Sequence, residues 1–226
     1  AKVSAGRLAS ISIEASPRRF VGGRRGSGAA DPLIMSYDNR EPPSSHLFYE
    51  GYFDELARRL RDASADQLDA LCNSLVQARE RGRKVVLAGN GASAAIASHV
   101  AVDLTKASGI RAVNFNEVDL ITCFGNDYGY ENWIAKATEF YGDAGDVVVL
   151  ISSSGESQNV VNAAARAREL GLSVVTLSGF AAENRLRTLG DLNLWVNSSS
   201  YNIVETTHQS WLLAAIDRIA QSRESS

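Results

Sequence analysis

The sequence predicts an α/β fold, a three-layer doubly wound sandwich with a five-stranded parallel sheet, preceded by two N-terminal helices. Two observations carry this prediction. Apolar runs alternate with helical stretches along the chain, at Lys84 to Ala88, Arg111 to Phe115, Val147 to Ile151, Ser173 to Leu177 and Asp191 to Val196. These runs also lack the strict alternation of a half-exposed strand, so both faces of the sheet are expected to be covered. Right-handed crossovers then make the strands parallel.

The N-terminal segment differs in composition from the rest. Residues 1 to 45 are expected to form a disordered basic extension and linker, because arginine pairs and glycine clusters interrupt any apolar period. The chain's only methionine is Met35, which suggests that residues 1 to 34 are an upstream or vector-derived extension. An organelle transit sequence is the alternative, since the segment is rich in arginine and serine. Residues 46 to 226 are expected to form a single domain.

Two helices are predicted ahead of the first strand, between His46 and Arg83. Their apolar residues recur at helical spacing, at Leu47, Phe48, Phe53, Leu56 and Leu60 and then at Leu68, Leu71, Leu75 and Val76. These helices have no sheet of their own to cover, so they must pack on the following domain or on another subunit. We favour another subunit.

Charge and cysteine content exclude several classes of protein. A net charge of -3 argues against nucleic acid as the main partner, and no helix-turn-helix module with a basic recognition face is present. Cys72 and Cys123 are far apart and follow no metal or redox spacing, so we expect reduced, buried thiols in a cytoplasmic protein. No apolar stretch approaches the roughly 20 residues of a membrane span.

Two polar loops follow two of the predicted strands. Residues 89 to 93 read Gly-Asn-Gly-Ala-Ser and residues 152 to 157 read Ser-Ser-Ser-Gly-Glu-Ser, each ahead of an amphipathic helix. Parallel strands place such loops at one edge of the sheet, where the free N–H groups of helix N-termini bind anions. A simpler interpretation is that the serines only cap a helix and fill a turn.

The loops do not match the known nucleotide-binding motifs. The first loop lacks the third glycine of a dinucleotide fingerprint, and neither loop ends in Gly-Lys-Ser or Gly-Lys-Thr. The density of hydroxyl donors favours a phosphomonoester instead.

The two loops and the segment Gly125-Asn126-Asp127-Tyr128-Gly129 resemble, in order and spacing, the motifs of the sugar isomerase (SIS) domain family. Within it, residues 47 to 220 are most similar to the phosphoheptose isomerases. The resemblance implies a flavodoxin-like fold of the SIS type, a homotetramer built by the two leading helices, and conversion of sedoheptulose 7-phosphate to a glycero-manno-heptose 7-phosphate.

The resemblance also implies a set of site residues. Those expected to bind the sugar phosphate are Ser93, Ser152, Ser153, Ser154 and Ser157. Those expected to contact the sugar are Asn90, Gly91, Asn126, Asp127 and Glu205. For Asn126 and Asp127 the residues themselves indicate only a turn ahead of a helix at Tyr130.

A ketose–aldose isomerase needs a base that moves a proton between adjacent carbons. His99 and Asp103 are four residues apart and therefore share a helix face. The position of Asp103 resembles that of the family's glutamate base, with about 1.5 Å less reach, so Asp103 is the expected base. A surface ion pair without chemistry is the alternative.

The last helix departs from the family. Leu213 stands where the family has a histidine, and leucine can neither transfer a proton nor bind zinc. His208 is a candidate catalytic partner, although a buried or interface histidine without chemistry is the other interpretation. His99, Asp103 and Glu205 could form a partial zinc site, so zinc is a candidate cofactor.

Two function classes therefore remain open. One is an isomerase of sedoheptulose 7-phosphate or a related sugar phosphate. The other is a non-catalytic sugar-phosphate-binding or assembly protein, similar to the paralogue that associates with the bacterial replication initiator and also lacks the histidine.

Overall fold

The computed structural model describes residues 44 to 224, all within the compact unit Pro42–Ser226. The described α-helices are α1 (Ser45–Arg59), α2 (Ala65–Glu80), α3 (Ala92–Lys106), α4 (Val118–Tyr128), α5 (Trp133–Tyr141), α6 (Gln158–Glu169) and α7 (Tyr201–Glu224). The strands are β1 (Val85–Gly89), β2 (Ala112–Asn114), β3 (Val147–Ser152), β4 (Ser173–Ser178) and β5 (Leu192–Trp195). The predicted N-terminal extension lies outside the described residues.

The five strands form one parallel sheet in the order β2-β1-β3-β4-β5. Strands β1 and β3 are buried along their whole length. The predicted fold class, a doubly wound α/β sandwich on a five-stranded parallel sheet, is confirmed, with each strand within one residue of its predicted position at each end.

Helices cover the sheet on both faces. Successive strand residues point to opposite faces, so Val85 and Leu87 belong to one apolar cluster and Val86 and Ala88 to the other. The first cluster contains apolar residues of α2, α3 and α7, whereas the second contains those of α5 and α6. The core is therefore two apolar layers on either side of one buried sheet.

The two leading helices differ in their packing. Helix α2 buries Leu71, Cys72, Leu75 and Ala78 in the first apolar cluster of its own chain, which corrects the expectation that both helices pack on another subunit. Helix α2 begins with a capping box, in which the Ser64 hydroxyl accepts from the backbone of Gln67 and the Gln67 amide oxygen accepts from the backbone of Ser64. Helix α1, by contrast, buries no residue.

The turn predicted at Asn126 and Asp127 lies within helix α4, which corrects that expectation. Leu120, Ile121 and Phe124 pack against the second apolar cluster, which stabilises the segment as a helix. The chain turns at Gly129, and α5 begins at Trp133 rather than at Tyr130.

The two cysteines differ in exposure. Both are free thiols, but only Cys72 is buried and Cys123 is exposed, which corrects the expectation for Cys123. Within residues 44 to 224, no helix is long and apolar enough to cross a membrane.

Candidate functional site

The two Gly/Ser loops meet in one cavity at the carboxyl edge of the sheet. Strands β1 and β3 are neighbours and their ends are in register, with Gly89 opposite Ile151. The cavity has a volume of about 130 Å³ and is lined by Asn90, Ser93, Ile151, Ser152, Ser153, Ser154, Ser157, Tyr201 and Glu205. It thus contains all five predicted phosphate-binding serines.

Glycine is required where the first loop leaves β1. A Cβ atom on Gly89 would lie 2.6 Å from the Cβ of Ser93 and 2.8 Å from the carbonyl oxygen of Ile151. Gly91 precedes α3 with φ +56°, in the left-handed region that favours glycine. Gly91 itself does not line the cavity. It turns the chain so that its neighbours Asn90 and Ser93 line the cavity.

The hydroxyl groups of the second loop have different partners. Ser152 donates to the Ser157 oxygen over 3.1 Å, and Ser153 donates to Oε1 of Glu205 over 3.1 Å. The Ser154 oxygen accepts from the backbone N–H of Glu156 over 3.2 Å. The hydroxyl hydrogens of Ser154 and Ser157 therefore remain for a ligand, as far as the described residues show.

The simpler interpretation, in which the serines only cap a helix, does not fit α6. Ser157 is the N-cap residue of α6, yet its side chain makes no capping hydrogen bond. The Ser157 hydroxyl hydrogen and the N–H groups at the start of the helix, at Gln158 and Asn159, are thus available to an anion.

A reciprocal amide pair ties the first loop to α6. Asn90 and Asn159 each donate from Nδ2 to the other's Oδ1 over 2.9 Å, and the Tyr130 hydroxyl donates to Asn90 Oδ1 over 3.2 Å. Asn159 is buried. The sequence analysis missed Asn159 and Tyr130, although an asparagine in the first turn after a serine-rich loop was a usable signal.

A larger cleft of about 550 Å³ adjoins the cavity. It is lined by Tyr52, Ala92, Ala95, Ile96, His99, Asn202, Glu205, Thr206 and Gln209, so Glu205 belongs to both spaces. Tyr52, Asn202, Thr206 and Gln209 were not predicted as site residues, and neither was Tyr201 of the smaller cavity. They lie on α1 and α7, which the sequence analysis examined mainly for packing and for family positions.

The His99 and Asp103 side chains form a pair on α3. Nε2 of His99 lies 3.1 Å from Oδ2 of Asp103, and Nδ1 lies 3.0 Å from Nε2 of Gln209 on α7. The His99 side chain is half exposed and lines the larger cleft, whereas Asp103 lines neither space. The structure thus brings His99 to the cleft, and Asp103 contacts His99 without lining the cleft.

His208 lies outside the site, which corrects its assignment as a catalytic partner. It is fully buried, and Nε2 donates to the Ser178 carbonyl over 3.0 Å. Burial lowers the pKa of His208 to about 4, although the bond to Ser178 raises it. Its Nδ1 atom has no partner among the described residues. Leu213 packs against the first apolar cluster.

Asn126 and Asp127 are also outside the cavity and the cleft. Both are exposed on α4, where Asn126 Nδ2 donates to Asp127 Oδ1 over 2.9 Å. Within one chain, the structure does not bring them to the predicted sugar.

The candidate zinc ligands do not form one three-residue cluster within the described residues, although His99 and Glu205 line the same cleft. A tetrahedral zinc site needs three or four nearby ligands, and residues 44 to 224 contain no group of three histidine, cysteine or acidic side chains suited to a metal. His99 contacts Asp103, but Glu205 is held by Ser153 instead. Zinc therefore stays a prediction.

Comparison of the sequence with known proteins identifies the chain as a member of the SIS domain family. The model of the SIS domain matches residues 48–179. The phosphoheptose isomerase of Bradyrhizobium sp. is 36% identical over 174 residues, covering 73% of this chain and 79% of that protein. The phosphoheptose isomerase of Sulfurimonas denitrificans is 34% identical over 149 residues, covering 63% and 74%.

Solved structures give the same result for the fold. A phosphoheptose isomerase from Francisella tularensis superposes with a TM-score of 0.73 at 26% identity, covering 79% of this chain and 100% of that one. The phosphoheptose isomerase from Neisseria gonorrhoeae gives a TM-score of 0.71 at 29% identity, covering 77% and 98%.

Proposed function

Because this chain belongs to the SIS domain family, we propose that it is a ketose–aldose isomerase acting on sedoheptulose 7-phosphate or a related sugar phosphate. The observation that carries the proposal is the convergence of two Gly/Ser loops on one cavity, with hydroxyl hydrogens left over for a ligand. The related phosphoheptose isomerases support the reaction class.

The smaller cavity suits a phosphate group. Its volume of about 130 Å³ is roughly four times the ~30 Å³ that a water molecule occupies in the liquid. A cavity of this volume is too small for a nucleotide. Among the described residues, no lysine or arginine lines it. Hydroxyl donors and the N-terminus of α6 would therefore bind the anion, as at other helix N-termini. The Glu205 carboxylate favours a phosphate position on the serine side, away from its own charge.

The sugar then extends into the larger cleft. This cleft shares Glu205 with the phosphate cavity and offers polar groups on both walls, from His99 on α3 and from Asn202, Thr206 and Gln209 on α7. Hydroxyl groups of a polyol chain match such a lining, because each can donate and accept.

We also propose that the protein is a homotetramer joined through α1. This helix presents Leu47, Phe48, Tyr49 and Phe53 to solvent, each more than half exposed. The rings of Phe48 and Tyr49 lie in contact, with centroids 5.5 Å apart, and an exposed apolar patch of this kind marks an interaction surface.

The proposal is tested by following sedoheptulose 7-phosphate with the protein by NMR over time. The expected result is the appearance of aldose signals at a rate that increases with protein concentration. Binding without any conversion would indicate the non-catalytic alternative and contradict the isomerase.

A further inference from the structure

We propose that a groove between α2 and α7 binds a small amphipathic anion, a phosphate ester that carries an aliphatic chain. We call this space the helical groove. None of its lining residues lines the sugar-phosphate cavity or the larger cleft. The helical groove is therefore a second site, and its ligand does not depend on the proposed isomerase reaction.

The helical groove consists of two adjoining spaces. The larger has a volume of about 450 Å³ and the smaller a volume of about 220 Å³. Asp69, Cys72 and Arg218 line both spaces, so one ligand can occupy the two together. We call the larger space the basic section and the smaller one the apolar section, after the side chains that line them.

The basic section contains an excess of positive charge. It is lined by Arg79, Arg218 and Arg223, and Asp69 is the one carboxylate that lines it within the described part of the chain. Among the described residues, none of the three arginines forms an ion pair with a carboxylate. Two positive charges are thus left over in a chain whose net charge is -3. Guanidinium groups in this arrangement match the oxygens of a phosphate.

The arginines also have structural contacts, but these use few of their donors. Nη1 of Arg79 and Nη1 of Arg223 each donate to a backbone carbonyl in the turn after α3, over 3.0 Å. Nη1 of Arg218 donates over 3.0 Å to the Ser222 hydroxyl on its own helix. A guanidinium has five N–H groups, so most of the donors remain for a ligand.

The apolar section continues the helical groove toward the N-terminus of α2. Small or apolar side chains line it, among them Ala65, Leu68 and Ala214. From Leu68 to Arg79 the groove follows α2 for eleven residues, which corresponds to about 16 Å along the helix axis. An aliphatic chain that leaves water for such a lining gains free energy in proportion to its buried area.

The two sections together select the class of ligand. Inorganic phosphate would use the arginines and leave the apolar section without an occupant. A neutral aliphatic molecule would cover unpaired guanidinium groups without giving them acceptors, which costs free energy. A phosphate ester with an aliphatic chain satisfies both sections at once.

The test uses calorimetry with hexyl phosphate, inorganic phosphate and 1-hexanol. The protein carries the changes Ser154→Ala and Ser157→Ala, which weaken phosphate binding in the sugar-phosphate cavity. Hexyl phosphate should bind at least about tenfold more tightly than inorganic phosphate, because each methylene that leaves water raises the affinity about fourfold. Hexanol should show no measurable binding.

Two further variants of this protein locate the binding. Arg218→Gln should weaken the binding of both hexyl phosphate and inorganic phosphate by about tenfold or more, since hydrogen bonds to a charged group are lost. Ala214→Leu places a larger side chain in the apolar section, so it should weaken hexyl phosphate by about tenfold and change inorganic phosphate by less than about twofold. Both side chains are exposed, and leucine and glutamine are good helix formers, so the fold is retained.

Matched controls come from exposed positions of α2 and its C-cap outside the helical groove. Arg81→Gln removes the same charge, and Ala70→Leu adds the same side chain. Both should bind hexyl phosphate within about twofold of the protein from which they are made.

Several results would overturn the proposal. Equal affinities for hexyl phosphate and inorganic phosphate would remove the apolar section from the site, and binding that survives Arg218→Gln would place the anion elsewhere. Hexanol that binds as tightly as hexyl phosphate would show that the arginines take no part. Absence of binding by all three compounds would also refute the site, as expected if another copy of the chain covers the groove.

Discussion

At the scale of residues, the serine-rich loop shows what a sequence contains and what it leaves open. The hydroxyl density of residues 152 to 157 is visible in the sequence. The sequence does not show which of these hydroxyls are free to bind a ligand, because Ser152 donates to Ser157 and Ser153 donates to Glu205. The bond from Ser153 to Glu205 joins residues 52 positions apart, so the sequence of the loop could not show it.

The buried imidazole of His208 predicts a pH-dependent stability. In the unfolded chain a histidine binds a proton below its ordinary pKa of 6.5, whereas in the folded chain the pKa of His208 is about 4. Between these values the unfolded state binds more protons, so the free energy of unfolding falls as the pH is lowered from 6.5 to 4. The loss from this group is roughly 3 kcal/mol, and the contribution is constant above 6.5.

Urea unfolding across this pH range checks the prediction. His208→Gln retains a donor for the Ser178 carbonyl but cannot titrate, so its free energy of unfolding should depend less on pH than that of the wild type. Parallel pH profiles for the two proteins would contradict the assignment.

At the scale of elements, the sequence predicted most of the architecture but not all of it. The strands were evident because their apolar runs are buried on both faces. The end of helix α4 was predicted as a turn because Gly125, Asn126 and Asp127 favour turns locally. Packing of Leu120 and Phe124 on the core outweighs that local preference.

Gly155 is the element-scale feature on which the serine loop depends. Its φ of +69° lies in the left-handed region, and a Cβ atom there would overlap the buried side chain of Asn184. Asn184 in turn donates to the carbonyls of Gly179 and Ala181. Gly155→Ala should therefore destabilise the fold by on the order of 2 kcal/mol and weaken sugar-phosphate binding.

Thermal unfolding and calorimetry measure both effects. Gly125→Ala is the matched control, because Gly125 lies within α4 with open space around it. That change should leave stability equal or raise it by up to about 1 kcal/mol, as alanine is the better helix former. A Gly155→Ala protein as stable as the control would argue against the loop geometry.

The exposed face of α1 predicts the assembly. Replacing Phe48 and Phe53 by serine removes two side chains that are 54% and 60% exposed, so folding of the single chain should be little affected. Sedimentation should give about four times the chain mass of 24.3 kDa for the wild type and smaller species for the double variant. A wild-type monomer would refute the tetramer.

At the scale of the whole molecule, the position of the site follows from the sheet topology. The complete set of residues that line the site does not. Two loops at the carboxyl ends of parallel strands were expected to meet, and the pairing of β1 with β3 brings them together. Tyr52 and Gln209 come from the two ends of the described chain, and no local pattern marks them as site residues. The spacing of His99 and Asp103 marked them as candidates in the sequence. Only the structure shows that His99 lines the cleft and Asp103 does not.

The central claim is that the serine hydroxyls hold the phosphate of the sugar, and calorimetric titration of sedoheptulose 7-phosphate tests it most directly. Ser154→Ala and Ser157→Ala should each weaken binding by about tenfold or more, since a hydrogen bond to a charged group contributes about 1.5 to 3 kcal/mol. Ser173→Ala, an exposed position at the opposite edge of the sheet, should bind like the wild type. A Ser154→Ala and Ser157→Ala double variant that binds as tightly as the wild type would contradict the account.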